Sequence, residues 1–280
     1  MGFATSQQIN QYYETYKTSS IAFTKEVIQA LSFNTQQSVL RLIGGDNEQT
    51  PCIINSVSMS SAKVIVPKNC VTYEKISGGI NTVNLKFSFF ESGGKADLAF
   101  FVSGKVTGAR DYNVSPDLVL FNIEYTQRAP DDLIEKLGSL LDAKMMAPKR
   151  TERRIELTDS AVKKLGLAQK ETIVAIQNIP RRCILRDISL TGAKFVMAGV
   201  APFLLNKDCV LKFTFEDPDV ILGIRGKIIR AELVEGRKDL IAVAMNFTDS
   251  SVSLAYKLRL TQFFNQQRKI NIGNEEEPED

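Results

Sequence analysis

Two short clusters of polar residues could carry chemistry in this chain. Residues 149–154 read KRTERR and place four cations within six positions; we call them the arginine motif. Residues 187–192 read DISLTG and combine a carboxylate, a hydroxyl and a glycine; we call them the turn motif. The spacing of Arg150 and Arg154 allows both guanidinium groups to reach one place from a turn or an extended segment.

These residue types suit a guanine nucleotide that carries phosphates. A guanidinium group is a planar fork that holds a phosphate through two hydrogen bonds or binds the O6 and N7 edge of guanine. Asp187 can accept hydrogen bonds from guanine N1–H and N2–H, and Ser189 adds one donor or acceptor. Gly192 lets the backbone approach a flat base closely or adopt a tight turn. Lys149 and Arg153 complete the set of candidate ligand-binding residues.

The composition argues against catalysis and against a metal centre. The chain has no histidine, which removes Ser/His/Asp triads, Cys/His pairs and histidine-ligated metal sites. The cysteines are widely spaced and include no CxxC pair: Cys52, Cys70, Cys183 and Cys209. A zinc site built from all of them is the less favoured alternative to small buried side chains in a reducing compartment. We therefore expect no catalytic residue, no metal and no cofactor, and a protein that is not an enzyme.

Length and charge describe an ordinary globular protein. The 280 residues are 44% hydrophobic and 24% charged, which allows one large or two modest domains. The net charge of +3 is too small to indicate bulk nucleic-acid binding, although local basic clusters still count. We find neither an apolar run of membrane-spanning length nor a signal-peptide core, so we expect a cytoplasmic protein without membrane insertion. The start MGFATS fits the short myristoylation pattern, which we interpret as a chance match.

The two halves of the chain repeat one plan. Residues 52–63 (CIINSVSMSSAK) align with residues 183–194 (CILRDISLTGAK) at an offset of 131. Residues 85–89 (LKFSF) likewise align with residues 211–215 (LKFTF). The repetition indicates two copies of one module of about 110 residues each.

Short β-runs separated by Gly and Asn turns fill both copies, which is typical of small antiparallel barrels. The runs are 39–43, 52–54, 62–66, 83–89, 98–106 and 118–125 in the first copy, and 173–177, 183–186, 193–197, 209–215, 220–231 and 241–247 in the second. Amphipathic helices over 131–141 and 252–267 close the two copies. Apolar residues at steps of three and four predict one further helix over about 6–32, and the segment 158–170 predicts a short one.

The predicted fold is therefore mainly β with flanking helices: two duplicated small antiparallel β-barrel domains plus an N-terminal helix. The predicted boundaries are 1–142 for the N-terminal helix and first domain, 143–149 for a linker, 150–270 for the second domain, and 271–280 for a disordered acidic tail.

Arg150-x-x-x-Arg154, followed by Asp187-x-Ser189-x-x-Gly192 ahead of β-runs and a closing helix, resembles the PilZ domain, a bacterial receptor module for cyclic di-GMP. The whole chain is similar to two-domain PilZ proteins, in which a degenerate PilZ-like domain precedes the ligand-binding one. The resemblance implies cyclic di-GMP as the ligand. It also implies an output through an unidentified protein partner, in motility, polysaccharide export or virulence regulation.

The first copy lacks the charged groups of the second. Ser56 and Ser61 stand where the second copy has Asp187 and Gly192, and no basic run precedes the strands of the first copy. The turn therefore survives without the carboxylate and the glycine, which favours a ligand-binding role for both in the second copy. The alternatives are a solvated interdomain linker for the arginine motif and an ordinary Asx turn for the turn motif.

A nucleic-acid-binding protein that uses the basic loops of its barrels is the alternative function. Arg181, Arg182 and Arg186 form another basic cluster, which would attract an anion or contact another macromolecule. Paired aromatic platforms for base stacking are not evident on the predicted strands. For the receptor, we expect the ligand to order the linker against the second barrel and to change the domain arrangement or partner contacts.

Overall fold

The structure is a computed structural model of the chain. It describes residues 5–44, 48–91, 97–146, 153–216 and 219–273. The chain divides into two compact units, residues 1–141 and 142–280. Lys149 and Arg150 of the arginine motif, and the acidic residues 274–280, lie outside the described residues.

The first unit is built on an antiparallel sheet of eight strands. Its strands are β1 (Ser20–Ala22), β2 (Val39–Leu42), β3 (Gln49–Pro51), β4 (Ile53–Ser58), β5 (Ser61–Pro67), β6 (Thr82–Phe89), β7 (Leu98–Asp111) and β8 (Leu118–Tyr125). Its helices are α1 (Ser6–Tyr16), α2 (Lys25–Leu31), α3 (Val71–Ser77) and α4 (Asp131–Met146), of which α4 continues past the division between the units. The strand order is β1-β4-β5-β8-β7-β6-β2-β3.

The second unit contains a closed barrel of six strands. Its strands are β9 (Arg154–Glu156), β10 (Glu171–Ile176), β11 (Ile179–Ser189), β12 (Gly192–Ala198), β13 (Asp208–Phe215), β14 (Val220–Val234) and β15 (Arg237–Phe247). The order is β10-β13-β14-β15-β12-β11, and a further β10–β11 pairing closes the ring, with β9 attached to β11. Inward side chains such as Phe195 and Phe213 fill the barrel, and both are fully buried. Helices α5 (Asp159–Leu165) and α6 (Leu254–Gly273) flank it.

The prediction of one helix over residues 6–32 is wrong, because the chain forms β1 between α1 and α2. Ile21 of β1 is 2% exposed and pairs with Val57 of β4. Thr24 begins α2 anew, since its hydroxyl oxygen accepts the Val27 N–H at 3.4 Å. Apolar residues are buried along all three elements, so the helical spacing appeared continuous in the sequence.

The duplication reaches further toward the N-terminus than the sequence alignment indicated. β1 pairs with β4 as β9 pairs with β11, and a short helix capped by a threonine follows each strand, α2 in one unit and α5 in the other. The register pairs Ser20 with Ser58 in the first unit and Arg154 with Ser189 in the second. Ser20 is therefore the counterpart of Arg154.

The closing helices also correspond. Lys136 of α4 places its Nζ 4.6 Å from the ring centroid of Phe89, at the end of β6. Arg259 of α6 places its guanidinium carbon 4.7 Å from the ring centroid of Phe215, at the end of β13. Both are cation–π contacts between a closing helix and the last aromatic residue of the matching strand. Burial lowers the pKa of Lys136, because it disfavours the charged ammonium group.

Most predicted β-runs coincide with observed strands to within a few residues, and the mainly β, duplicated fold is confirmed. α3 and β3 were not predicted. α4 continues to Met146, so residues 143–146 of the predicted linker are helical. α6 begins at Leu254, and α5 lies inside the segment 158–170.

Candidate ligand-binding site

The short strand β9 positions Arg154 beside Asp187. Ile155 of β9 pairs with Ile188 of β11, and both side chains point into the core with 3% and 0% exposure. Arg154 and Asp187, the residues directly before Ile155 and Ile188, therefore face outward. Arg154 Nη1 donates to Asp187 Oδ1 at 2.6 Å, which is a short charge-assisted hydrogen bond.

A second cation, Lys194 of β12, lies on the other side of the carboxylate. Lys194 pairs with Asp187 in the register, and its Nζ lies 3.6 Å from Asp187 Oδ2. The Asp187 side chain is only 16% exposed, against 39% for Arg154 and 52% for Lys194. The site is thus a sheltered carboxylate between two more exposed cations. Sequence analysis missed Lys194, although the alignment of residues 183–194 with residues 52–63 ended on it.

The Ser189 hydroxyl shapes the turn between β11 and β12. Its Oγ accepts the N–H of Gly192 at 3.1 Å and of Thr191 at 3.3 Å, and it donates to the Gly192 carbonyl at 3.2 Å. Ser189 is 1% exposed, and the Tyr256 hydroxyl of α6 donates to its carbonyl at 3.0 Å. The hydroxyl therefore fixes the loop that carries the turn motif, and it does so from the interior.

Gly192 is needed for the approach of two strands. A Cβ at this position would lie 2.4 Å from the carbonyl oxygen of Met245 in β15, far inside contact distance. The backbone of Gly192 is not in the left-handed region. The sequence suggested that Gly192 allows a tight turn or the close approach of a base. The structure gives a different reason, because β12 approaches the backbone of Met245 too closely for any side chain.

Arg153 contacts the closing helix. Its guanidinium carbon lies 4.6 Å from the ring centroid of Phe264 in α6, and Phe264 is 1% exposed. This is a cation–π contact between the arginine motif and the helix that packs on the barrel. Arg153 and Arg154, adjacent in sequence, thus contact different parts of the second unit. Lys149 and Arg150 lie outside the described residues.

The other basic cluster lies along β11. Arg181, Arg182 and Arg186 are exposed. Arg182 pairs with Ile173 of β10 on the outer wall, and Arg186 is the extra residue where the β11–β12 register shifts, directly before Asp187.

The cysteines have no role in this site. Burial raises the pKa of Cys183 and Cys209 to about 12, so both thiols are protonated at neutral pH. Within the described part of the chain, no group of three Asp, Glu or Cys side chains is arranged to hold a metal ion.

The first unit keeps the turn but lacks the arginine and the carboxylate of the site. Ser58, the counterpart of Ser189, accepts the N–H of Ser60 at 3.2 Å and of Ser61 at 3.0 Å. Ser20 and Ser56 stand at the positions of Arg154 and Asp187. The same backbone thus carries a copy of the site that keeps the lysine, Lys63, but lacks the arginine and the carboxylate.

The closed barrel, the preceding arginine strand and the serine-centred turn define the PilZ class of ligand-binding module. A PilZN3 domain model matches residues 7–144, and a PilZ domain model matches residues 148–265. A protein of Treponema denticola named cyclic di-GMP binding protein is 46% identical over 270 residues, which cover 96% of this chain and 85% of that relative. The chain therefore belongs to the PilZ-domain proteins, with a PilZN3 domain ahead of the PilZ domain.

Two solved structures of similar proteins hold cyclic di-GMP. PlzA of Borreliella burgdorferi is 21% identical with a TM-score of 0.42, covering 93% of this chain and 99% of that one. YcgR of Escherichia coli is 11% identical with a TM-score of 0.30, covering 97% of this chain and 99% of that one. Across the described ranges, no helix combines the length and the apolar character that crossing a membrane requires.

Proposed function

We propose that this protein is a cytoplasmic, non-catalytic receptor that binds cyclic di-GMP on its second unit. The observation that carries the proposal is the sheltered Asp187 carboxylate held between Arg154 and Lys194 on the outer wall of the PilZ barrel. The 46%-identical relative named as a cyclic di-GMP binding protein supports the choice of ligand. Free cysteines suit a reducing compartment.

In this proposal Asp187 binds the Watson–Crick edge of a guanine. The N1–H and N2–H groups of the base need both carboxylate oxygens. Lys194 lies beyond direct hydrogen-bond distance of Oδ2 and is half exposed, so it yields to the base at little cost. Arg154 holds Oδ1 through one of its five N–H donors, and the others remain to bind phosphate or the O6 and N7 atoms of a guanine.

In this proposal the other predicted residues add positive charge for the phosphates or hold the binding loop in shape. Arg150 and Lys149 supply further positive charge to the phosphates from the segment before β9. Arg153 holds that segment to α6 through Phe264. Ser189 and Gly192 set the shape of the turn, the serine by its hydrogen bonds and the glycine by allowing β12 to approach β15.

The response is a change in the segment that joins the units. The last residue of the arginine motif, Arg154, is the first residue of β9, so a ligand held by Arg150, Arg154 and Asp187 ties the segment before β9 to the barrel. A ligand shifts a conformational equilibrium only through contacts that differ between the two states, and the arginines provide such contacts. The outcome is an altered arrangement of the units or altered contacts with a protein partner.

Calorimetric titration with cyclic di-GMP tests the proposal. Asp187→Asn and the double change Arg150→Ala/Arg154→Ala should each weaken binding by about tenfold to a hundredfold, since a hydrogen bond to a charged group contributes about 1.5–3 kcal/mol. Asp159→Asn is a matched control, because Asp159 of α5 makes an ion pair of the same 2.6 Å length with Lys170. GTP and short duplex DNA are control ligands.

Binding of cyclic di-GMP within twofold of wild type in the double variant would overturn the assignment of the site. Tighter binding of DNA than of cyclic di-GMP, with a steep dependence on salt, would instead favour the nucleic-acid alternative.

A further inference from the structure

The outward residues next to Asp187 form one row across four strands of the second barrel. Asp187 of β11 pairs with Lys194 of β12, Lys194 pairs with Ala244 of β15, and Ala244 pairs with Arg230 of β14. On β12 and β15 the flanking residues of the row are buried, so the row itself faces outward. The row joins the proposed guanine acceptor to a second arginine.

The middle of the row is a shallow groove. Ala242 and Ala244 are the outward residues of β15, and longer side chains stand on the strands at either side, Lys194 on β12 and Arg230 on β14. Two strand spacings place these walls roughly 10 Å apart. Methyl groups at the floor and cations at the walls suit a flat aromatic ring attached to an anion.

The first unit supplies an internal comparison. Its matching row is Ser56, Lys63, Asn122 and Gly108, and both units have a register shift immediately before the last position. Gly108 therefore stands in place of Arg230. Asn122 replaces Ala244, and its Nδ2 lies 3.2 Å from where a Cβ of Gly108 would be.

The substitutions in the first unit are not confined to the two motifs. The arginine of β9, the carboxylate of β11 and the arginine of β14 are all absent from it, and the floor residue is larger. Only the lysine remains. Arg230 and the small floor residue thus belong to the same set of differences as Arg154 and Asp187, which connects them with the ligand.

We propose that this groove is a second base subsite, in which Arg230 binds the O6 and N7 atoms of the second guanine of a cyclic dinucleotide. The inference rests on the proposed function. Asp187 and Arg230 are three strand spacings apart, roughly 14 Å along the wall, which suits two bases splayed from one phosphodiester ring. Arginine at the O6/N7 edge is the commonest way in which proteins select guanine.

Arg230 is available for this role. Its Nε donates to Glu232 Oε1 at 2.5 Å, which leaves the two terminal NH2 groups of the guanidinium to face a base. Both side chains are more than half exposed, at 67% and 56%, so the pair holds Arg230 in place without burying it.

The test compares cyclic di-GMP with the hybrid cyclic GMP–AMP, which keeps one guanine for Asp187 and presents adenine to Arg230. Wild-type protein should bind cyclic di-GMP about tenfold more tightly than the hybrid. Arg230→Ala should lose this preference by weakening cyclic di-GMP about tenfold and leaving the hybrid nearly unchanged. Arg237→Ala is the matched control, because Arg237 is also exposed and pairs with an acid two residues on, Asp239.

A second variant, Ala244→Asn, reproduces the floor of the first unit and should weaken both ligands by closing the groove. Unchanged thermal unfolding shows that each variant is folded. Retention of the guanine preference in Arg230→Ala, or wild-type affinity in Ala244→Asn, would overturn the second subsite. If Asp187→Asn still weakened binding in the same assay, the proposed function would stand. Absence of binding by the wild-type protein would overturn the proposed function itself.

Discussion

Ser20 and Arg154 occupy the same register position in the two units, each opposite the serine that ends the paired strand and begins the following turn. Ser20 pairs with Ser58, and Arg154 pairs with Ser189. The units therefore differ at this point in a side chain and share the backbone. In the proposed function, ligand binding therefore depends on a few outward side chains of the second unit rather than on a different strand pairing.

The first unit should fold by itself and fail to bind cyclic di-GMP. Residues 1–146, which include the whole of α4, contain the complete eight-stranded sheet, but they carry Ser20 and Ser56 where the second unit has Arg154 and Asp187. Circular dichroism should show a cooperative thermal transition, and calorimetry should show no heat of binding. Specific micromolar binding by this fragment would show that the first unit also carries a site, or that the site has been assigned to the wrong unit.

Gly192→Ala should destabilise the second unit. The added methyl would lie 2.4 Å from the Met245 carbonyl, and forcing a group into a packed site costs about 1–3 kcal/mol. Urea unfolding should measure this loss. Gly223→Ala is the control, because its methyl would meet only a Val210 side-chain carbon at 3.3 Å, and its stability should stay within about 1 kcal/mol of wild type. If Gly192→Ala kept wild-type stability but lost binding, the glycine would instead be required for contact with the ligand.

The buried cysteines should be unreactive in the native protein. Burial raises the pKa of Cys52, Cys183 and Cys209 from 9.0 to about 12, whereas Cys70 is partly exposed. Alkylation at pH 8 followed by mass spectrometry should modify Cys70 first and the other three only in urea. Equal labelling of all four without denaturant would contradict this.

The same thiols make stability depend on alkaline pH. Their native pKa lies above the unfolded value, so the stabilising contribution is complete below about pH 9 and is lost as the pH rises toward 12. The free energy of unfolding should therefore fall in this range. Replacing Cys183 with alanine should reduce the dependence on pH.

Cyclic di-GMP should protect residues 144–156 and 186–192 from amide hydrogen exchange. The first segment carries the arginine motif and the second contains Asp187, so one ligand held by both reduces opening in both. Small-angle scattering should change as well. Binding without either change would contradict the proposed response and leave the binding site intact.

The sequence alone indicated the duplication, most strands, the closing helices and the candidate residues of both motifs. These features are local or repeated. Alternating apolar residues specify a strand, and matched letters at a constant offset specify a repeat. The serine of the turn, which both copies carry, is recognisable from the alignment of the two copies alone.

Tertiary structure decided which residues meet. The sequence predicts a helix where β1 lies, because three residues are too few to show a strand pattern. The strand conformation of β1 depends on its pairing with β4, more than thirty residues away in sequence. Lys194 and Arg230 join Asp187 only through the register of four strands, and Gly192 is explained only by the carbonyl of Met245. Such contacts are set by hydrogen bonds between distant strands and by barrel closure, which local sequence does not encode.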